Sequence, residues 1–262
     1  MKLNIVPPRT GFVWVRQGIR TFWKQPLAMS GLFFLFMAWV SVVSMVPVVG
    51  NVLALVLLPA MTLGLMAATA VAEQGKFPMP GILLVAFRSG QAGVKDMLVL
   101  GGLYAFGFIA VMGISTLVDG GLFAGVYLMG APITTEKVNN PAFQNAMWLA
   151  MGLYLPLSMM FWHAPALLHW HGVPPVKSLF FSLIACWRNL GAFMVYTLAW
   201  LGVFLGSGMV ILFVISLIGE QSLAESVITP VALLMAAMFF TSVYFSVRDC
   251  FGEMVRTDSP SA

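Results

Sequence analysis

Charged residues are scarce in this chain of 262 residues: Asp, Glu, Lys and Arg make up only 8% of it, whereas 60% of the residues are hydrophobic. A soluble globular domain carries about 25% charged residues, which cover its surface. The shortage excludes a soluble protein of ordinary composition and favours an integral membrane protein with several spans. We predict an all-α protein, because a helix satisfies all its backbone hydrogen bonds within the bilayer.

Cysteines are also few, and enzyme signatures are missing. Cys186 and Cys250 are too few for a disulfide framework and lack metal-binding spacing, so we expect free thiols on the cytoplasmic side. Motifs of hydrolases, zinc peptidases, P-loop NTPases and dinucleotide-binding enzymes are missing. The net charge of +4 is spread over the polar links, which does not indicate nucleic-acid binding. We therefore expect no catalytic residues, no cofactor and no nucleic-acid partner.

Six long apolar runs predict six transmembrane helices. Their ranges are 27–45, 51–72, 97–117, 143–162, 190–218 and 228–247. A turn at Pro47 ends the first span, a polar link occupies 91–96, and the longest link, 119–141, is expected to be a loop. With the N-terminus inside, twelve of the thirteen Lys and Arg residues, Arg256 among them, face the cytoplasm, and only Lys137 lies outside. We predict an inner-membrane protein with both termini cytoplasmic and no cleaved signal peptide.

The chain is predicted to be a single membrane domain, 1–262, built from an internal repeat. Each unit contains a short amphipathic run ending in an aromatic-basic pair, then a span, then a second span with an internal proline. The units cover about 10–73, 78–163 and 174–250; the pairs are Trp23-Lys24, Phe87-Arg88 and Trp187-Arg188, and the prolines Pro59, Pro156 and Pro230. Since each unit crosses the membrane twice, all three share one orientation. The alternative is that such pairs simply mark membrane interfaces.

The three amphipathic runs, 10–24, 80–90 and 175–188, are too short to span a bilayer and are predicted to lie on its cytoplasmic surface. In the first, helical spacing places the basic residues on one stripe and Phe12, Val15, Ile19 and Phe22/Trp23 on the opposite one. We expect the basic and aromatic residues of the runs to contact lipid or a partner: Arg16, Arg20, Trp23, Lys24, Arg88, Trp187 and Arg188.

All three histidines, His163, His169 and His171, fall in one link that we expect to be a loop. Imidazole is a common metal ligand, but no cysteine or carboxylate adjoins these residues. Six residues of helix would also place His163 and His169 on different faces. A polar cluster with Trp162 and Trp170 at headgroup depth is the favoured interpretation, and no metal is predicted. A metal site is the alternative.

Four stretches of the chain are distinctive: MKLNIVPPRTG, GIRTFWKQPLA, VPVVGNVLALVLLPA and FWHAPALLHWHGVPPVKSLFFSLIACWRN. They resemble an uncharacterised family of Gram-negative inner-membrane proteins. More distantly, the pattern of amphipathic helix and helical hairpin resembles the YciC-like membrane proteins and the membrane domain of some glycerophosphodiester phosphodiesterases. The resemblance implies an inner-membrane location and a six-span fold, and it implies no activity.

Three functional hypotheses follow. No predicted span carries a charged residue in its core, which disfavours ion-coupled transport. The first hypothesis is a non-catalytic membrane component whose basic-aromatic cytoplasmic face contacts lipid or a partner. The second is a transporter or flippase of an apolar or lipid-like solute that bends at the prolines. The third is metal binding through the histidines. A homo-oligomer or a membrane-protein partner stays open, with Gly202-x-x-x-Gly206 as a weak candidate motif.

Overall fold

The structure, a computed structural model, describes residues 2–46, 49–88, 90–218 and 223–252. Within these ranges the chain is all-helical, as predicted, with eleven α-helices and one 3₁₀ helix, Pro80–Arg88. The α-helices are α1 (Thr10–Lys24), α2 (Pro26–Ser44), α3 (Gly50–Glu73), α4 (Gly90–Asp119), α5 (Leu122–Met129), α6 (Thr135–Asn139), α7 (Pro141–Trp162), α8 (Ala164–His171), α9 (Pro175–Arg188), α10 (Leu190–Ile218) and α11 (Leu223–Phe251). The predictions for Pro47 and Arg256 concern residues outside the described ranges.

Five of these helices are long and apolar enough to cross a membrane: α2, α3, α4, α10 and α11. They correspond to five of the six predicted spans. The predicted polar link 91–96 is wrong, because α4 already begins at Gly90. Gly90 has a φ of 76°, a value that glycine adopts easily. From that turn onward no proline interrupts the helix, and Gln91 and Lys95 remain exposed on its outside.

The fourth predicted span, 143–162, is the remaining one and corresponds to α7, which has 22 residues. At about 1.5 Å per residue, a helix of this length extends roughly 33 Å, close to the thickness of the hydrocarbon core of a bilayer. However, α7 is not among the five helices that are apolar enough by composition. Its first turns carry Gln144 and Asn145, and Pro156 lies inside it. These residues lower its mean hydropathy, although its length suits a span.

Two links predicted as loops are helical, and both predictions are therefore corrected. The link 119–141 contains α5 and α6, and α5 begins where the Asp119 carboxylate accepts hydrogen bonds from the backbone N–H groups of Gly121 (2.9 Å) and Phe123 (2.6 Å). The histidine link contains α8, whose first five residues, 164–168, are all buried and apolar. Short apolar stretches of this kind become helical because burial of their side chains favours an ordered backbone.

The described residues form two compact units. The first is drawn from Met1–Ala38, Met61–Ala86 and Ile184–Ala262, and in it α1 packs against α10 and α11. The second is drawn from Trp39–Ala60 and Phe87–Leu183, and in it α4 packs against α5, α7 and α8. A core cluster of the second unit contains Met112, Phe123 and Phe143. The single-domain organisation and the repeat units 10–73, 78–163 and 174–250 stay predictions.

Candidate membrane-surface site

In the first unit, α1 lies directly on the backbones of α10 and α11. Its buried residues are Gly11, Trp14, Val15, Gly18, Thr21 and Phe22. Spacings of three and four residues place them on one helix face. A Cβ added at Gly11 would collide with the backbone of Ala192, and one added at Gly18 would lie 2.7 Å from Cα of Ser242. The two glycines therefore determine which face of α1 can approach its neighbours.

The predicted faces of α1 are only partly right. Val15 and Phe22 are buried, but Phe12 is 59% exposed and Trp23 is 63% exposed. Both aromatic residues were predicted on the stripe opposite the basic residues. Close packing of the glycine-lined face instead leaves them on the outside of the helix, where the basic residues also lie.

The residues predicted to contact lipid are exposed in both units: Arg16, Arg20, Trp23, Lys24, Trp187 and Arg188 in the first, and Arg88 in the second. Four of them share α1. Trp187, in the last turn of α9, is 68% exposed. Lys24 also donates a hydrogen bond of 2.7 Å from Nζ to the backbone carbonyl of Glu73, which stabilises the end of α3. Contact of these residues with lipid stays a prediction.

A polar network around Arg248, in the last turn of α11, was not predicted from the sequence. Its guanidinium lies 2.7 Å from Glu73 Oε1, 3.1 Å from Asp249 Oδ1 and 3.1 Å from Gln17 Oε1. The same group lies 4.9 Å from the ring centroid of Phe245, a cation–π distance. Glu73 and Gln17 are far from Arg248 in the chain, so only the folded structure could reveal that these groups meet.

Trp14 joins α1 to this network. Its indole Nε1–H donates to Asp249 Oδ2 at 2.9 Å, and its side chain is 0% exposed. The rings of Phe193 and Tyr196 pack against it, with centroid distances of 5.3 and 6.0 Å. A buried indole N–H needs an acceptor, and the carboxylate supplies one.

Asn189, between α9 and α10, fixes the segment that precedes α1. Its Oδ1 accepts a hydrogen bond of 2.8 Å from the backbone N–H of Val6, and its Nδ2 donates to the carbonyl of Asn4 at 3.2 Å. The backbone N–H of Asn4 in turn donates to the carbonyl of Cys250 at 2.8 Å. The segment before α1 and the end of α11 are therefore connected at one end of the unit.

His163 lies in the interior of the second unit, at the corner between α7 and α8. Its backbone N–H donates to Ser182 Oγ at 2.9 Å, and that hydroxyl donates to the carbonyl of Met159 at 2.7 Å. The side chain of His163 is 0% exposed. Burial lowers the pKa of His163 to about 3, which keeps the imidazole neutral at pH 7.

The other two histidines, His169 and His171, are half-buried on α8. The ring of His169 contacts the ring of Trp170 at a centroid distance of 5.9 Å. Burial lowers the pKa of His171. Within the described part of the chain, no three His, Cys, Asp or Glu side chains are grouped as a metal site requires. The clustering of the three histidines stays a prediction.

Comparison with known proteins settles the location of the chain. No family model matches it, and no solved structure does either. A probable inner membrane protein of Burkholderia thailandensis is 42% identical over 255 residues, which cover 96% of this chain and 94% of the relative. This chain belongs to that family of inner membrane proteins. The predicted inner-membrane location and the resemblance to a family of proteobacterial membrane proteins are thereby confirmed. The likeness to YciC stays a prediction.

Proposed function

We propose that this inner membrane protein is a non-catalytic membrane component whose cytoplasmic surface contacts anionic lipid. The observation that carries the proposal is the exposure of aromatic-basic pairs at the ends of short helices, above all Trp23 with Lys24 and Trp187 with Arg188. Exposed tryptophans favour the headgroup layer because their rings are amphipathic. Lys and Arg near an anionic leaflet each gain about 1 kcal/mol.

The proposed architecture has six spans, of which α7 is the fourth in the chain, and both termini in the cytoplasm. The element order supports the three predicted repeats. The first contains α1, α2 and α3, the second the 3₁₀ helix, α4 and α7, and the third α9, α10 and α11. The second long helix of each repeat contains an internal proline, at Pro59, Pro156 and Pro230. Two crossings per unit would bring all three short helices to the same side of the membrane.

The positions of the charges support a non-catalytic role without ion coupling. In the six long helices, every described Asp, Glu, Lys and Arg lies within the first or last two turns, for example Lys95, Glu73 and Arg248. Proton relays and ion-coupled transporters normally place such groups at membrane depth. Charges at helix ends suit positions near the headgroups instead.

A transporter or flippase of an apolar or lipid-like solute is the second candidate. It is favoured by the three proline-containing long helices, because a helix bends where proline removes a backbone hydrogen bond.

A second copy of the chain could pack on α10, where a Cβ added at Gly202 or Gly206 would meet nothing within 4 Å. Metal binding through the histidines has no supporting geometry in the described residues.

Lipid analysis of the protein in polymer-extracted native nanodiscs tests the proposal. We expect the co-purified lipid to contain a higher anionic fraction than the bulk inner membrane. Changing Arg16, Arg20 and Arg188 to Gln should reduce this enrichment. The matched control changes Lys2, Arg9 and Lys76 to Gln, which removes the same charge from exposed residues off the short helices. Bulk lipid composition around the parent, or equal losses in both variants, would contradict the proposal.

A further inference from the structure

A groove of about 760 Å³ opens on the second unit where the 3₁₀ helix ends and α4 begins. Two helix elements supply its walls. Phe87 and Arg88 come from the 3₁₀ helix, and the remaining described lining residues come from the first turns of α4. The groove thus lies beside one of the aromatic-basic pairs.

The described lining of this groove includes two cations and no carboxylate. Arg88 and Lys95 are both exposed and both line it. Lys95 lies on the same face of α4 as Gln91, Val94 and Leu98, since these positions are separated by three and four residues. Asp96 follows Lys95 in the chain, but helix geometry turns it about 100° away from this face. The groove therefore favours a ligand with negative charge.

The apolar part of the groove lining continues along α4. Leu98 and Val99 line the groove and are partly exposed. One turn further along, a Cβ added at Gly102 would meet nothing within 4 Å, so the helix surface there is open. Phe106 follows at the next turn and is 74% exposed. Because α4 is long and apolar enough to cross the membrane, this stripe leads from the cations towards the hydrocarbon core.

We infer that the groove holds one anionic phospholipid, with its phosphate between Arg88 and Lys95 and an acyl chain along Leu98, Gly102 and Phe106. A free anion would use the cations and leave the apolar stripe unused. A zwitterionic lipid would use the stripe but carries no net charge for the two cations. The inference rests on the proposed function, because it assigns one defined site to the lipid contact proposed above.

Native mass spectrometry of the detergent-purified, delipidated protein, titrated with dioleoylphosphatidylglycerol, tests the site. We expect one saturable lipid adduct per chain. Changing Arg88 and Lys95 together to Gln should weaken it about thirtyfold, since each cation contributes about a fivefold factor. The charge-conserving pair Arg88→Lys and Lys95→Arg should retain the adduct. The matched control, Lys2→Gln with Lys76→Gln, removes the same charge from exposed residues off the short helices and should bind as the parent does.

Several results would overturn the site. One is undiminished binding by the Arg88→Gln, Lys95→Gln variant, and another is an equal loss in the Lys2→Gln, Lys76→Gln control. Equal binding of dioleoylphosphatidylcholine, or displacement of the lipid by inorganic phosphate at matched concentration, would also exclude it. If anionic lipid is still enriched in native nanodiscs under any of these outcomes, only the site is wrong. If that enrichment is absent, the proposed function itself fails.

Discussion

The indole N–H of Trp14 donates to the carboxylate of Asp249 across 2.9 Å, which connects α1 to the last turn of α11. The same carboxylate accepts from Nε of Arg248 at 3.1 Å, and Arg248 contacts Glu73 at the end of α3. In the first unit, α1, α11 and the end of α3 are therefore joined through two carboxylates and one guanidinium. This connection positions the exposed basic-aromatic residues of α1 relative to the long helices.

Trp14→Phe should destabilise the protein by about 1–3 kcal/mol, because a hydrogen bond to a charged acceptor is lost. The measurement is the free energy of unfolding from SDS titration in mixed micelles. Trp23→Phe is the matched control in the same helix, and at 63% exposure it should change stability by less than about 0.5 kcal/mol. The smaller ring also leaves a cavity, so a double-mutant cycle with Asp249→Ala isolates the hydrogen bond. No coupling between the two positions would contradict its role.

Gly18→Ala should displace α1 from its neighbours. The added Cβ would collide with Ser242, whose hydroxyl lies 2.6 Å from the hydroxyl of Tyr196 and accepts from Trp200 Nε1 at 3.1 Å. We expect a loss of roughly 1–3 kcal/mol, typical of overpacking, and faster trypsin cleavage within α1. Gly31→Ala on α2 is the control, since its Cβ would meet nothing within 4 Å. Equal cleavage rates in the two variants would show that close packing at Gly18 is unimportant.

The buried His163 predicts a specific pH dependence. Its folded-state pKa is about 3, whereas an unfolded histidine titrates near 6.5. Below about pH 6.5 the unfolded state binds a proton that the folded state excludes, so stability falls as the pH decreases towards 3. At pH 5 this contribution amounts to about 2 kcal/mol relative to pH 7.

The measurement is the unfolding free energy of the parent and of His163→Gln at pH 7 and pH 5. Whatever the substitution costs at pH 7, we expect the variant to lose about 2 kcal/mol less than the parent between the two pH values. A parent and His163→Gln with the same slope would show that a charged imidazole is tolerated in the interior.

The sequence was sufficient to predict the elements whose boundaries depend on local signals. The predicted runs 10–24 and 175–188 coincide with α1 and α9, and five predicted spans correspond to long apolar helices. Apolar length and proline positions are visible in the chain itself, because they act within a few residues. The exposure of the basic residues in these runs was also predictable, because an unpaired charge is costly to bury.

Features that depend on distant residues could not be predicted in this way. The buried face of α1 is decided by close contact of Gly18 with Ser242, and the polar network by the meeting of Arg248 with Glu73 and Gln17. These partners are far apart in the chain, and no periodicity or motif of a single sequence indicates that they meet. The histidine link was predicted as a loop because it contains three histidines and two adjacent prolines. The short buried apolar run that begins α8 is too brief to give a helical pattern of its own.

The placement of all the short basic-aromatic helices on the cytoplasmic side requires that α7 crosses the membrane. Single cysteines at positions 122 and 177, with Cys186 and Cys250 replaced by serine, test it in intact cells with a membrane-impermeant thiol reagent. Leu122 and Lys177 are both exposed, and they lie before and after α7. We predict that Leu122→Cys is labelled from the periplasm and that Lys177→Cys is labelled only after the inner membrane is permeabilised. Labelling of both positions in intact cells would show instead that α7 does not cross the membrane.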